Sequence, residues 1–233
     1  MKFFKKLLIR LFIFILFILL VLGIIGYIYY SKALREKPLL NRTSEIINQE
    51  HYTCFNKLPK DYVNAVISVE DRRYYKHGAI DFVGIARAFF VNIKNKELQE
   101  GGSTITQQVA KNIIFSQEDT FLRKLGEFFA SYDLEKNFTK EEIFALYVNT
   151  AYFGNGYYGI YDACHGYYNK EPQLLNLDEA SMLAGIPNAP SVYSPAVNPD
   201  LAKQRQKHVL KTMVQNNYIS QEQADAINIK GMT

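Results

Sequence analysis

A fourteen-residue stretch, Ser68 to Asp81, holds a dense group of side chains that could carry acid–base chemistry. It contains Glu70, Asp71 and His77, and the apolar run 62–67 precedes it. Because such a run docks a helix on a core, we expect Glu70 to lie at the edge of that core. Apolar surroundings disfavour the charged form of a carboxylate and raise its pKa, which suits a general base or acid near neutral pH. The alternative interpretation is a solvated helix end with surface ion pairs, which is the more common origin of a lone acidic pair.

Residues 101–112 have the pattern of an anion site. Two glycines open the segment and let the backbone approach a ligand closely. Thr104 with Gln107 predicts a capping box, so a helix should begin here. Free N–H groups at that helix start, two hydroxyl side chains and Lys111 predict a cradle for pyrophosphate. Most glycine pairs before a capped helix are only turns, and the sequence lacks the Walker A pattern, so nucleotide binding is not predicted.

A third candidate group lies on a helix predicted over residues 121–136. Arg123 and Glu127 are four residues apart and therefore share one face of it. An exposed salt bridge is the more common meaning of such a pair taken alone. We assign the buried face to four apolar residues at helical spacing: Leu122, Leu125, Phe129 and Tyr132.

The remaining elements are also predicted to be helical, so the fold class is mainly α. Pro59 starts a helix that runs towards Glu70. A second helix should face the core through five residues at helical spacing: Phe82, Ile85, Ala86, Phe89 and Phe90. Later helices should begin at capping or starting residues: Thr139, Asp178, Asn198 and Ser220. Three prolines after Gly185 should exclude helix there. The glycine- and tyrosine-rich segment 149–168 predicts either a wall for a sugar or lipid chain or a tightly packed loop.

The first thirty residues are predicted to lie outside the globular fold. Residues 11–30 carry no charge and are long enough for a transmembrane helix. Four basic residues within 1–10 predict a cytoplasmic flank, a single-pass protein in the cell membrane and an extracytoplasmic catalytic domain. A cleaved signal peptide would be shorter and would end in a small-x-small site. Residues 31–58 are predicted to form a stalk and domain entry, and residues 59–233 one domain.

Charge and cysteine content exclude several classes of protein. Four of the 27 Lys and Arg residues precede Leu11, and the remaining 23 equal the 23 Asp and Glu residues. The net charge of +4 is therefore a topology signal and does not indicate a nucleic-acid partner. Two cysteines, Cys54 and Cys164, exclude a disulfide scaffold and a cysteine-based zinc site, and we do not expect them to pair.

Five blocks, in this order, resemble the peptidoglycan glycosyltransferases of the lysozyme-like transglycosylase family, glycosyltransferase family 51. The blocks are Glu70-Asp71-Arg72-Arg73-Tyr74-Tyr75-Lys76-His77, Gly101-Gly102-Ser103-Thr104-Ile105-Thr106-Gln107-Gln108 with Lys111-Asn112, Arg123-Lys124-Leu125-Gly126-Glu127, Tyr152-Phe153-Gly154-Asn155-Gly156-Tyr157-Tyr158-Gly159, and Glu179-Ala180 to Pro195. The resemblance implies a lysozyme-like transglycosylase domain behind one N-terminal transmembrane helix.

The resemblance also implies a reaction, the polymerisation of lipid II into a growing glycan strand. Glu70 resembles the general base that deprotonates the acceptor's 4-hydroxyl, which displaces undecaprenyl pyrophosphate with inversion. Glu127 resembles the second catalytic carboxylate, a candidate ligand for a divalent cation (Mg or Mn), and no organic cofactor is implied. Further positions match substrate-binding residues of the family: Asp71, Tyr74, His77, Ser103, Thr104, Gln107, Gln108, Lys111, Asn112, Arg123 and Lys124.

The implied partners are the cytoplasmic membrane, cell-wall synthases and a moenomycin-type inhibitor. The sequence departs from the family's pattern at Tyr74, Ala79 and Gly126, and the last of these removes a cation from the third block. Neither Ser-x-x-Lys nor Lys-Thr-Gly occurs, so we expect a monofunctional enzyme without transpeptidase chemistry.

Two other functions are compatible with the same residues. The first is a lytic glycosidase on the same general fold, with Glu70 as the acid. Such an enzyme would need no binding site for a lipid-linked phosphate. The blocks 101–111 and 123–127 argue against it. The second is an inactive, membrane-held scaffold for cell-wall proteins, against which the intact acidic pair argues.

Overall fold

The computed structural model describes residues 2–95, 101–115 and 121–230. In these ranges the chain forms helices and turns, with no strand beyond an isolated bridge between Tyr152 and Tyr158, so the predicted mainly α class is confirmed. The helices are α1 Lys2–Glu36, α2 Leu39–Ile47, α3 Lys60–Glu70, α4 Phe82–Asn95, α5 Ile105–Ile114, α6 Phe121–Asn137, α7 Lys140–Thr150, α8 Ile160–Tyr168, α9 Leu177–Gly185, α10 Pro190–Tyr193, α11 Pro199–Gln215 and α12 Gln221–Lys230.

Helix α1 contains the predicted transmembrane segment and continues beyond it to Glu36. Among the described residues it is the one helix long and apolar enough to cross a membrane, and its apolar window is exposed. Its last turns pack along α6, where the hydroxyl of the buried Tyr30 donates a hydrogen bond to Asp133. The segment predicted to be a stalk thus begins inside α1 and continues in α2, whose Leu39 and Thr43 are buried.

The prediction for the buried face of α6 is wrong for two of its four residues, whereas Leu125 and Phe129 are partly buried. Leu122 and Tyr132 are 45 % and 52 % exposed, and Phe129 packs edge-on against Tyr27 of α1. The buried residues lie on the opposite, more polar face: Arg123, Gly126, Glu127, Ala130, Ser131 and Leu134. The apolar stripe faces α1 and the surface because helical spacing defines a face but does not say which partner covers it.

The core-facing stripe predicted on α4 is wrong as well. Phe82, Phe89 and Phe90 are each more than 60 % exposed, and Ile85 is exposed too. Among the side chains of this helix that the structure describes, the small Ala88 is the buried one. A group of exposed phenylalanines is typical of an interaction surface.

The core surrounds α7, on which every side chain from Ile143 to Val148 is buried. Helix α3 packs against α9 and α11, and α5 packs against α6 and α7. Pro59 caps α3, which begins at Lys60. The buried turns of α3 end just before Glu70, so this residue lies at the edge of the core as predicted.

Local signals located most helix starts correctly. The capping boxes at Thr104 and Thr139 are confirmed, and Ser220 exchanges the same pair of bonds with Gln223. Asp178 was the wrong cap for α9. Asn176 caps that helix with Glu179, because the carboxylate of Asp178 instead accepts a hydrogen bond from Gln206 at 2.6 Å.

Prolines also occupy the first positions of α10 and α11. The exclusion of helix after Gly185 is wrong for one turn, α10, in which Pro190 takes the first helical position, where no N–H is needed. The start of α11 at Pro199, after Asn198, is confirmed.

The departure at Gly126 has a packing reason. A Cβ here would approach the Phe115 and Tyr29 rings within 2.8 and 2.9 Å. These rings stack with centroids 5.5 Å apart, and Tyr29 belongs to α1. A glycine within a helix costs about 1 kcal/mol relative to alanine. The absent side chain therefore makes room for the ring pair that joins α1, α5 and α6.

Candidate active site

A cavity of about 570 Å³ lies beside Glu70, between the end of α3, α5 and α11. Among the described residues that line it, Glu70 is the one carboxylate. Six Lys and Arg residues also line it: Arg72, Arg87, Lys111, Lys124, Arg205 and Lys211. A chain without net charge outside its N-terminal flank thus concentrates positive charge in one concave site.

Glu70 is the last residue of α3, and its side chain is only 8 % exposed. Its Oε2 accepts a hydrogen bond of 2.8 Å from the amide of Gln108, and its Oε1 lies 3.6 Å from the guanidinium of Arg205. Burial raises the pKa of Glu70, and this effect exceeds the opposing effects of Gln108 and Arg205. The position can therefore hold a carboxylate of increased basicity, as predicted.

The cation side of the cavity is built by α5 and α6. Ser103, Gln107 and Lys111 line the wall next to Gln108. The ammonium of Lys124 reaches over from α6 to the Ser103 hydroxyl, at 3.2 Å. Six of the residues assigned from the resemblance thus meet in one cavity: Glu70, Ser103, Gln107, Gln108, Lys111 and Lys124.

Glu127 and Arg123 lie behind this wall and do not line the cavity. Glu127 is fully buried, with Oε1 3.4 Å from the Arg123 guanidinium and Oε2 2.6 Å from the Lys124 ammonium. Lys124 is half exposed and bridges Glu127 to Ser103. Lys124 therefore links the buried Glu127 to the wall of the cavity.

Asp71 and His77 form a buried link between elements. One oxygen of Asp71 accepts the N–H of Ile105 at 3.0 Å, and the other lies 2.7 Å from Nε2 of His77. Burial lowers the pKa of His77, but the bond and charge of Asp71 outweigh burial, so this pKa lies above its usual value. The pair thus connects the chain after α3 to the start of α5.

Asp71, His77 and Asp81 offer three ligand atoms within 4.8 Å of one another. Each is already engaged: Asp81 lies 3.1 Å from the Arg73 guanidinium and accepts the N–H of Gly84. Within the part of the chain that the structure describes, we interpret this group as a turn-stabilising network.

Three further residues assigned from the resemblance also have structural partners. The Tyr74 hydroxyl donates to the carbonyl of Lys140 at 2.7 Å, and its ring is fully buried. Thr104 caps α5 and donates to the carbonyl of Ala79. Asn112 donates to the carbonyl of Thr150. They hold the elements that carry the cavity, and none of them lines it.

Sequence reasoning missed the part of the cavity contributed by α11. Arg205, His208 and Lys211 recur at threes along one face of this helix and line the cavity. The adjoining face packs in the core through Ala202 and Val209. The polar residues at helical spacing were visible in the sequence, but the pattern did not show what they face.

Comparisons with a family model and with curated proteins both relate this chain to transglycosylases. The family model described as Transglycosylase matches residues 37–214. A protein of Cupriavidus necator that carries the name transglycosylase as a provisional description is 42% identical over 193 residues, covering 83% of this chain and 83% of that protein. Penicillin-binding protein 1A of Neisseria lactamica is 45% identical over 177 residues, covering 76% of this chain and 22% of that protein.

Penicillin-binding protein 1F of Bacillus subtilis is 40% identical over 210 residues, covering 85% of this chain and 29% of that protein. This chain therefore spans less than a third of the length of either penicillin-binding protein. A crystal structure of penicillin-binding protein 1A from Haemophilus influenzae is 27% identical and covers 53% of this chain and 15% of its own, at a TM-score of 0.36.

Proposed function

The chain belongs to the transglycosylase family of peptidoglycan glycosyltransferases, and from that membership we propose that it polymerises lipid II into β-1,4-linked glycan strands. Glu70 takes the proton from the 4-hydroxyl of the acceptor's GlcNAc. The oxygen bonds to C1 of the donor's MurNAc, and undecaprenyl pyrophosphate leaves with the electron pair of the broken bond. Attack opposite the leaving group inverts C1.

The observation that carries this proposal is the charge distribution of the cavity. It combines one partly desolvated carboxylate, Glu70, with six Lys and Arg side chains. A single base is enough when the attacking group is a substrate hydroxyl. The departing pyrophosphate gains negative charge as the bond breaks, and fixed cations stabilise charge that develops in the transition state.

The cation group of α5 and α6 is the proposed site of the donor pyrophosphate. Lys111 projects into the cavity one turn beyond Gln108, which holds Glu70. Lys124 is aimed at the same wall by its contacts with Ser103 and Glu127. The leaving group would thus be held in the same cavity as the base, so that acceptor and donor can be positioned together.

A lytic glycosidase has less support from this geometry. Glycosidases of the common mechanisms use two carboxylates on either side of the scissile bond. Asp71, the nearest acid in sequence, is bound to His77 and the N–H of Ile105 and does not line the cavity. Glu127 is closed off behind Lys124. A second carboxylate is therefore not in position among the described residues.

The family generally uses divalent cations, and Glu127 is the candidate ligand from the resemblance. The described residues do not fit such an ion in this arrangement. Both oxygens of Glu127 lie beside cations, Lys124 and Arg123, and its side chain is fully buried. A divalent ion would have to displace the ammonium and approach the guanidinium against charge repulsion. We therefore assign the neutralisation of pyrophosphate to protein cations.

The membrane placement follows from α1, α4 and α6. Because α6 packs along the last turns of α1, its exposed Phe121 and Leu122 lie close to where the anchor leaves the bilayer. The exposed phenylalanines of α4 add a second apolar surface. We propose that both surfaces touch the membrane, which brings Lys124 near the level of a lipid-linked pyrophosphate.

The proposed orientation puts the catalytic domain outside the cytoplasm. The four basic residues before Leu11 should keep the N-terminus inside, so a reporter that is active only outside the cytoplasm, fused after Thr233, should be active. The same reporter fused to a chain in which those four residues are replaced by Ser should lose activity, because the orientation signal is gone. Activity confined to a cytoplasmic reporter on the unchanged chain would contradict the orientation.

Replacement of Lys111 by Ala should reduce kcat/KM for lipid II about tenfold or more, since a charge-assisted contact with phosphate contributes roughly 1.5–3 kcal/mol. Binding of a moenomycin-type phosphoglycolipid should weaken in parallel. The matched control is Lys207→Ala, because Lys207 is an exposed lysine of α11 outside the cavity lining. Its effect should stay within about twofold. Equal losses from both variants would show that overall charge, and not this cavity, determines donor use.

One assay tests the function as a whole. The full chain, purified in detergent, is incubated with lipid II and, separately, with preformed glycan strands. We expect conversion of lipid II into longer strands with release of undecaprenyl pyrophosphate, and no shortening of preformed strands. Shortened strands without consumption of lipid II would establish the lytic alternative, and inactivity on both substrates would favour the scaffold.

A further inference from the structure

Arg205 of α11 forms an ion pair with Glu70, at 3.6 Å from its Oε1. We propose that Arg205 is the positioning residue of Glu70, which aims this carboxylate into the cavity and keeps it ionised and ready to accept a proton. The proposal rests on the proposed function in that it assigns Glu70 the role of base.

The guanidinium of Arg205 is held from several sides. Its Nε donates to the carbonyl of Gly185 at 3.3 Å, and its Cζ lies 5.6 Å from the ring centroid of Tyr193. Gly185 allows this approach, because a Cβ there would lie 2.9 Å from Cγ of Arg205. The side chain is 13 % exposed. These contacts hold the guanidinium in one orientation, in which its Nη2 atom faces Oε1 of Glu70.

The carboxylate needs such a partner on that side. Its other oxygen is held by Gln108, whereas Oε1 has no hydrogen-bond partner among the described residues. Glu70 also ends α3, where the partial negative charge of the helix terminus disfavours an anion. Arg205 therefore supplies the attraction that orients Oε1, which Gln108 alone does not.

The other groups that act on Glu70 divide into two sets. Lys111 of α5 favours its charged form, whereas burial and the neighbouring Asp71 disfavour it. The hydroxyls of Tyr62 and Tyr147 also interact electrostatically with Glu70, but burial holds the pKa of each well above its usual value, so both remain neutral. Lys111 is the proposed ligand of the donor pyrophosphate, whereas Arg205 lies within ion-pair distance of the base itself.

Loss of Arg205 should have a pH-dependent effect. An opposite charge within a few ångströms lowers a carboxyl pKa by about 1–3 units, so Arg205→Gln should raise the pKa of Glu70 by about one unit or more. The base must be ionised, so the acidic limb of the kcat/KM profile should move to higher pH. Below that limb the variant should lose at least about tenfold, and the loss should shrink as the pH rises.

The test compares pH profiles of lipid II polymerisation for the full chain, Arg205→Gln and Arg205→Lys. We expect the acidic limb to shift to higher pH in Arg205→Gln. Arg205→Lys should restore it in part, because lysine keeps the charge but lacks the planar N–H groups of a guanidinium. Lys207→Ala, at an exposed residue of the same helix, should cause no shift. A uniform loss at every pH would overturn the proposal, because Arg205 would then only bind substrate.

A second measurement does not depend on turnover. The side-chain carboxyl of Glu70, labelled with ¹³C in the full chain in detergent and identified by its loss in Glu70→Gln, can be titrated by NMR. A higher titration midpoint in Arg205→Gln than in the unchanged chain supports the proposal, and an unchanged midpoint overturns it. A chain that shows this shift but does not polymerise lipid II would refute the proposed function while leaving the Arg205–Glu70 pair established.

Discussion

Glu70→Gln should reduce polymerisation of lipid II by about 10²–10⁴-fold, the usual cost of losing a general base. The substitution preserves size and leaves an amide oxygen that can still accept the hydrogen bond from Gln108. It also removes a charge from a site where burial disfavours charge, so folding should not suffer. The expected result is therefore an inactive protein with an unchanged or raised melting temperature.

The measurement pairs a lipid II polymerisation rate with a thermal melt of the same preparation. Glu141→Gln serves as the matched control. Glu141 is an exposed glutamate on α7, so this substitution makes the same chemical change outside the cavity. It should alter neither quantity appreciably. A folded Glu70→Gln protein that polymerises lipid II at close to the native rate would refute the assignment of the base.

Glu127→Ala should lower the free energy of unfolding by about 3–5 kcal/mol, because it breaks the buried ion pair between Glu127 and Arg123. Lys124 loses its partner as well, so its ammonium is no longer aimed at the cavity wall. We therefore expect lost activity together with lost stability, in contrast to Glu70→Gln. Chemical unfolding of the full chain in detergent, combined with the polymerisation assay, measures both.

A double variant separates the two effects. Replacing Arg123 with Met and Glu127 with Leu removes the whole buried pair, and apolar replacements of such pairs are often neutral or stabilising. Stability should largely return, whereas activity should not, because nothing then orients Lys124. Recovery of activity in the double variant would mean that Glu127 serves only to neutralise Arg123.

Much of the architecture could be predicted because its causes are local. Helix starts at Thr104, Thr139 and Ser220 depend on a side chain three residues from the N–H that it caps, and such spacing is visible in the sequence. Asp178 failed as a cap because Asn176 competes with it two residues earlier and because Gln206, from α11, binds its carboxylate. Local rules fail where a distant residue supplies the better partner.

In the candidate site, too, local signals predicted some positions, whereas contacts between distant elements decided others. Glu70 was predicted to lie at the core edge from the apolar run before it, and Lys111 to face an anion from the helix start before it. By contrast, Asp71, Tyr74 and Thr104 share sequence blocks with these residues but bind protein groups instead of lining the cavity. A motif groups residues by order along the chain, and their individual directions depend on the helices that meet there.

The sequence by itself determined the family, the long apolar N-terminal helix, the helical class and the residue proposed as the base, because these depend on composition and on residues close together in the chain. Only the tertiary structure decided what covers each apolar face and what surrounds each charge. It turned the stripe of α6 towards α1, left the phenylalanines of α4 exposed, and brought Arg205 to within 3.6 Å of Glu70. These outcomes depend on packing between helices far apart in the chain, and periodicity contains no information about the partner that a face will meet.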